Sequence, residues 1–128
     1  MLTMIQDFTT DSQQIENEDE LISFLKRRVD ESNRFILWHD SELPNLRVYV
    51  KDDISAAYFM SRDNEMFASK GDELREDWVP FRDDSSREYH EIIQLAGASI
   101  IPWRDSLNVL LEFARTGTIS ELTAWEHL

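Results

Sequence analysis

Cysteine is absent from the 128 residues, glycine and proline occur three times each, and no apolar run approaches the thickness of a bilayer. Each shortage removes a class of protein. Without cysteine there is no disulfide framework, no thiolate zinc site and no thiol nucleophile, and the composition agrees with a reducing cytoplasm. Gly71, Gly97 and Gly117 lie too far apart for a phosphate-cradling loop or a dinucleotide fingerprint. The apolar stretches fall well short of the ~20 residues that span a membrane. Residues 1–7 lack the basic region and apolar core of a secretory signal. A cytoplasmic protein is expected. Basic residues are scarce too: 13 Lys and Arg stand against 26 Asp and Glu, a net charge of −13. Direct binding to nucleic acid or an anionic membrane is disfavoured, because both need cationic side chains to displace counterions. Two explanations of the acidity stay open, solubility and steering toward a basic protein partner.

Against these shortages, hydrophobic residues make up 41% of the chain and four tryptophans are present, too much apolar material for a disordered polymer. No repeat, low-complexity tract or linker divides the sequence, so residues 1–128 read as a single domain. Leu2, Met4, Gln6 and Phe8 alternate as a peripheral strand does, and residues 9–16 read as a polar loop. Asn17 and Glu20 form a capping-box pattern for a helix carrying Leu21, Phe24, Leu25 and Arg28/Val29 at helical spacing. The triplet Lys26, Arg27, Arg28 suits the negative end of that helix better than a nucleic-acid patch. Strands are expected at 34–39, 46–50, 56–60 and 65–69, the last three forming a meander. Residues 71–87 read as an acidic connection interrupted by Trp78, Val79 and Phe81, and residues 86–95 as a further strand or helix. Pro102 opens a helix with Leu107, Leu110, Leu111 and Ala114 on one face, Gly117 ends it, and residues 119–125 close the chain as a strand. The expected fold is α+β: a mostly antiparallel sheet of about six strands with two helices packed on one face.

Chemistry is harder to find. Ser23 and Lys26 match S-x-x-K without its companion motifs, which an amphipathic helix explains. His39, His90 and His127 could join Glu88 or Glu91 around a metal, yet no spacing motif organises them. Acidic pairs such as Asp52–Asp53 arise readily among 26 carboxylates. No catalytic residue, metal or cofactor is therefore assigned. The aromatics Phe35, Trp38, Tyr49, Tyr58 and Phe59 fall in strands and read as core or sheet face, and Trp125 as an anchor for the chain end. Trp78 and Phe81 differ, because acids surround them. Either they pin a loop to the core, or they are anchors inside an acidic binding rim.

The segment from Ile101 and Pro102 through Phe113, Thr116 and Gly117 to Trp125 and Glu126 resembles the C-terminal signature of the first-numbered immunity-protein family of bacterial polymorphic toxin systems. The run through Leu46, Val48 and Val50 to Tyr58 and Phe59, the turn at Arg62–Glu65 and Gly71 agree with that family's central hairpin. Residues 94–99 and Ser120 depart from its pattern. The resemblance implies a non-enzymatic bacterial antidote that binds the C-terminal domain of a cognate toxin one-to-one as a monomer. Such toxins are nucleic-acid deaminases or nucleases, with a basic substrate groove that an acidic surface can occupy. The expected binding surface comprises Asp72, Glu73, Glu76, Asp77, Trp78, Phe81, Asp83 and Asp84. An acidic DNA mimic that inhibits nucleic-acid-binding proteins, and less so a carboxylate or histidine enzyme, are the competing readings.

Overall fold

Residues 3–84, 91–119 and 124–128 are described by a computed structural model. Alternating side chains create its central feature, an antiparallel sheet. In chain order the elements are β1 (Thr3–Gln6), β2 (Gln13–Ile15), α1 (Glu18–Leu25), β3 (Ser32–Trp38), β4 (Asn45–Lys51), β5 (Ile54–Met60) and β6 (Met66–Ser69). There follow β7 (Trp78–Asp83), β8 (Glu91–Ala96), a 3-10 turn at Gly97–Ser99, β9 (Ile101–Pro102), α2 (Trp103–Thr116) and β10 (Trp125–His127). The main sheet runs β10-β6-β5-β4-β3-β1-β2, with β9 attached to β5, while β7 and β8 form a separate hairpin.

One face of this sheet is apolar because every second residue is. Phe35 and Leu37 of β3, Leu46, Val48 and Val50 of β4, and Ala57 and Phe59 of β5 point together. Both helices cover that face. Leu21, Phe24 and Leu25 of α1 join Val109, Leu110, Phe113 and Ala114 of α2 in the same core. Phe113 meets Phe59 edge-on at 6.2 Å, and Phe24 meets Phe35 similarly at 6.4 Å. The α+β class, the antiparallel pairing and the helices on one face agree with the expectation.

The strand number does not: ten strands occur among the described residues instead of six. Three of the additions are too short or too polar to show a period. β2 lies in the segment read as loop, pairing three residues with β1 and burying only Ile15. β7 lies in the supposed acidic connection, where proline and acids hide the alternation. β9 pairs only Ile101 and Pro102, with Ser55 and Ile54, so Pro102 stands one residue before the helix. The closing strand begins at Trp125, opposite Ser69, and residues 120–123 lie outside those described.

Helix ends follow their local chemistry with two corrections, both in α1. Asn17 accepts from the Glu20 amide at 2.9 Å, as a cap should. The Glu20 carboxylate, however, takes the amide of Glu16 at 3.3 Å and not that of Asn17, so the box does not close on itself. α1 stops at Leu25, and Arg28 then donates to the Leu25 carbonyl at 2.9 Å. Arg27 lies 3.9 Å over the Phe24 ring and Arg28 4.7 Å over Trp103; burial lowers the Arg28 pKa. The expected helix reached Arg28/Val29, whereas the triplet lies beyond the last turn of α1, from where Arg28 returns to a helix carbonyl and Arg27 and Arg28 cover neighbouring aromatics. Gly117 adopts φ +74° and donates to Phe113 at 2.7 Å, the left-handed stop that an L side chain resists. Gly117→Ala is expected to cost about 1–2 kcal/mol in chemical denaturation; an unchanged midpoint would contradict it. Among the described residues no helix is long and apolar enough to cross a membrane.

Candidate protein-binding surface

The outer face of the sheet, opposite the helices, carries the β7–β8 hairpin. Strand alternation splits β7 in two. Val79, Phe81 and Asp83 point inward, while Trp78, Pro80 and Arg82 point out. Across the hairpin Val79 pairs with Leu95 and Phe81 with Ile93, which closes a second apolar cluster over Tyr49 and Tyr58. The outward positions pair Trp78 with Ala96, Pro80 with Gln94 and Arg82 with Ile92.

Polar ties hold the hairpin along its other margin. Arg34 Nη1 reaches Asp83 Oδ1 at 2.8 Å with both side chains nearly buried, and the Tyr49 hydroxyl donates to Asp83 Oδ2 at 3.2 Å. Lys51 Nζ donates to the Pro80 carbonyl at 2.6 Å, and Arg82 bridges Asp84 and Asp30. Burial in this layer raises the Tyr49 pKa, aided by the Asp83 charge, and pushes that of Tyr58 up to about 12. The sign follows directly. Between about 10, where an unfolded tyrosine ionises, and about 12 the folded chain holds the extra proton, so stability falls as pH rises through that window. Tyr58→Phe should flatten this alkaline loss in denaturation series. Phenolate absorbance of the native protein showing all tyrosines ionised by pH about 10.5 would contradict the buried hydroxyl.

The expected site residues divide accordingly. Asp72, Glu73, Glu76, Asp77 and Trp78 are exposed on the lead into β7 and its first residue. Phe81 is only 1% exposed and Asp83 8%, so both fasten the hairpin to the sheet, and Asp84 is engaged by Arg82. Of the two aromatics, Phe81 is therefore the pin, and Trp78, at 65% exposure, is free to meet a partner. The lead itself is ordered by short contacts. Asp72 accepts from the Leu74 amide at 3.0 Å, and Glu73 pairs with Lys70 at 2.5 Å. Arg75 grips Asp77 through two bonds of 2.9 and 2.6 Å, and those bonds hold the Asp77 pKa below the usual carboxylate range. A Cβ on Gly71 would overlap the Ile100 carbonyl oxygen, so glycine is needed where this lead passes the 3-10 turn.

Leu74, at 89% exposure, and Ile92, at 63%, extend the same surface and were not picked out by sequence reasoning. Only the alternation Trp78, Pro80, Arg82 against Val79, Phe81, Asp83 could have signalled it. The two described histidines lie apart: the ring of His39 contacts the Phe113 carbonyl at 3.0 Å, and His127 lies tilted against Phe67 near Glu65. Residues 85–90, with Glu88 and His90, lie outside those described. Among the described residues no three His, Asp or Glu side chains come together as a metal-binding group.

These features define a class, an α+β sheet protein with Trp78 and Ile92 exposed on its β7–β8 hairpin and Leu74 exposed on the acidic lead into it. A particular relative narrows it. The chain is 38% identical over 60 residues to the double-stranded DNA deaminase immunity protein of Burkholderia cenocepacia (strain H111). The matched region covers 45% of this chain and about half, 48%, of the relative. No family model matches the chain.

Proposed function

We propose that this chain is an immunity protein: it binds and neutralises a bacterial toxin that deaminates DNA, and it performs no chemistry itself. The observation that carries this reading is the 38% identity to an immunity protein named for a double-stranded DNA deaminase. The signature around Ile101, Phe113, Gly117 and Trp125 supports placing it in the first-numbered immunity family of polymorphic toxin systems, whose members act in the cytoplasm during interbacterial competition. An enzyme that acts on duplex DNA must attract phosphates, and so it presents a basic groove. A protein of net charge −13 is steered toward such a groove and can fill it. We place the contact on the acidic lead Asp72, Glu73, Glu76 and Asp77 with Trp78 as its anchor, supported by Leu74 and Ile92. Phe81, Asp83 and Asp84 keep this surface in position from beneath.

Titration calorimetry against the C-terminal domain of the toxin encoded beside this gene, in ~0.15 M salt, tests the reading. One-to-one binding at nanomolar affinity, weakening as salt rises, is expected. No heat of binding to that domain, with binding instead to several unrelated DNA-binding proteins, would replace it with the DNA-mimic reading.

A further inference from the structure

Beyond the hairpin, no described element covers the outer face of the main sheet, and its side chains are not those of a solvated sheet. Met4, Trp38, Asn45, Met60 and Met66 stand opposite one another in a single row across five strands. The neighbouring row reads Gln6, Ile36, Arg47, Tyr58 and Ala68. Three of the protein's four methionines therefore share one row, the fourth being Met1, outside the described residues. An antiparallel sheet with one wet face ordinarily alternates to polar residues there. Tryptophan, tyrosine, methionine and arginine are instead the side chains enriched where proteins meet. Methionine in particular lets a surface adapt to its partner.

Two adjoining hollows of about 400 and 300 Å³ mark this face, and Asn45 and Arg47 line both. Arg47 is exposed, and in a chain with 26 acids it forms no ion pair among the described residues. Its charge lowers the Tyr49 pKa, against the larger effect of burial. A partner that covered this face would strip water from the guanidinium, so it must bring an oxyanion to it. A nucleic acid phosphate is disfavoured by the net charge of −13, and a second copy of this acidic chain is repelled by the same charge.

We propose that this face is a second docking surface for the toxin domain, taking a segment of it that carries a carboxylate between apolar side chains. The inference rests on the function proposed above and adds a contact of opposite polarity to the acidic one. That polarity gives the test its sign. If only overall charge mattered, Arg47→Glu would tighten binding to a basic toxin domain; docking through Arg47 makes the same change weaken it, by about 30-fold or more. Calorimetry should compare the wild-type chain, Arg47→Glu, and Arg104→Glu as an exposed control on α2, with melting curves to verify folding. Independently of any variant, mild peroxide should oxidise Met60 and Met66 in the free protein, and the bound toxin domain should protect them. Absence of wild-type binding removes both proposals. Wild-type binding with undiminished affinity of Arg47→Glu and equal methionine oxidation, free and bound, overturns this one alone.

Discussion

Replacing Asp83 by Ala is expected to lower stability by about 3–5 kcal/mol, the usual consequence of breaking a buried ion pair by removing one partner. The Asp83 carboxylate receives Arg34 at 2.8 Å and the Tyr49 hydroxyl at 3.2 Å, and the Arg34 side chain is only 7% exposed. Truncation takes from the guanidinium beneath the hairpin the carboxylate that it meets at 2.8 Å. For a chain whose whole stability is about 5–15 kcal/mol, that is a large fraction, equivalent to roughly 10–20 °C in Tm. The pair Arg34→Met with Asp83→Leu should recover most of the loss, since an apolar pair of similar volume avoids both desolvation penalties. Denaturant unfolding of the two variants checks this. A single replacement costing under about 1 kcal/mol would show that the ion pair does not hold the hairpin down. Because the hairpin carries Trp78, the Asp83→Ala protein should also bind the toxin domain more weakly while remaining folded at low temperature.

Trp78→Ala should behave in the opposite way. At 65% exposure the indole contributes little to the core, so stability should stay within about 0.5 kcal/mol of the parent. Affinity for the toxin domain should fall by about 30-fold or more, the size expected when an interface loses a tryptophan anchor. Lysines in place of Asp72, Glu73, Glu76 and Asp77 should act on a different quantity, slowing association and weakening its salt dependence. Unchanged affinity in both variants would move the contact off the hairpin lead. Together the Asp83 and Trp78 substitutions separate what positions the surface from what uses it.

Much of this molecule was legible in its sequence wherever a period had room to repeat. β4 alternates over seven residues, and α2 repeats its apolar face over fourteen, ending at Gly117. Both were placed within a residue or so. The failures share a physical cause. β2 and β9 are too short for alternation to rise above chance, and they exist because a neighbouring strand offers them partners. β7 alternates properly, but its outward positions hold proline and arginine among acids, so that composition concealed a strand. The candidate surface inherits that difficulty. Sequence marked Trp78 and Phe81 as unusual together, and only the hairpin register separates them onto opposite faces. The methionine row was harder still to see: Met4 is aligned with Met60 and Met66 through four strand pairings, the first of which, Met4 opposite Trp38, joins residues remote in sequence.

The most direct test of the central claim is inhibition, measured as deamination of duplex DNA by the adjacent toxin domain while this protein is added in increments. The account predicts that activity falls in proportion to the amount added and reaches zero at one equivalent. Full activity in the presence of a molar excess would contradict it.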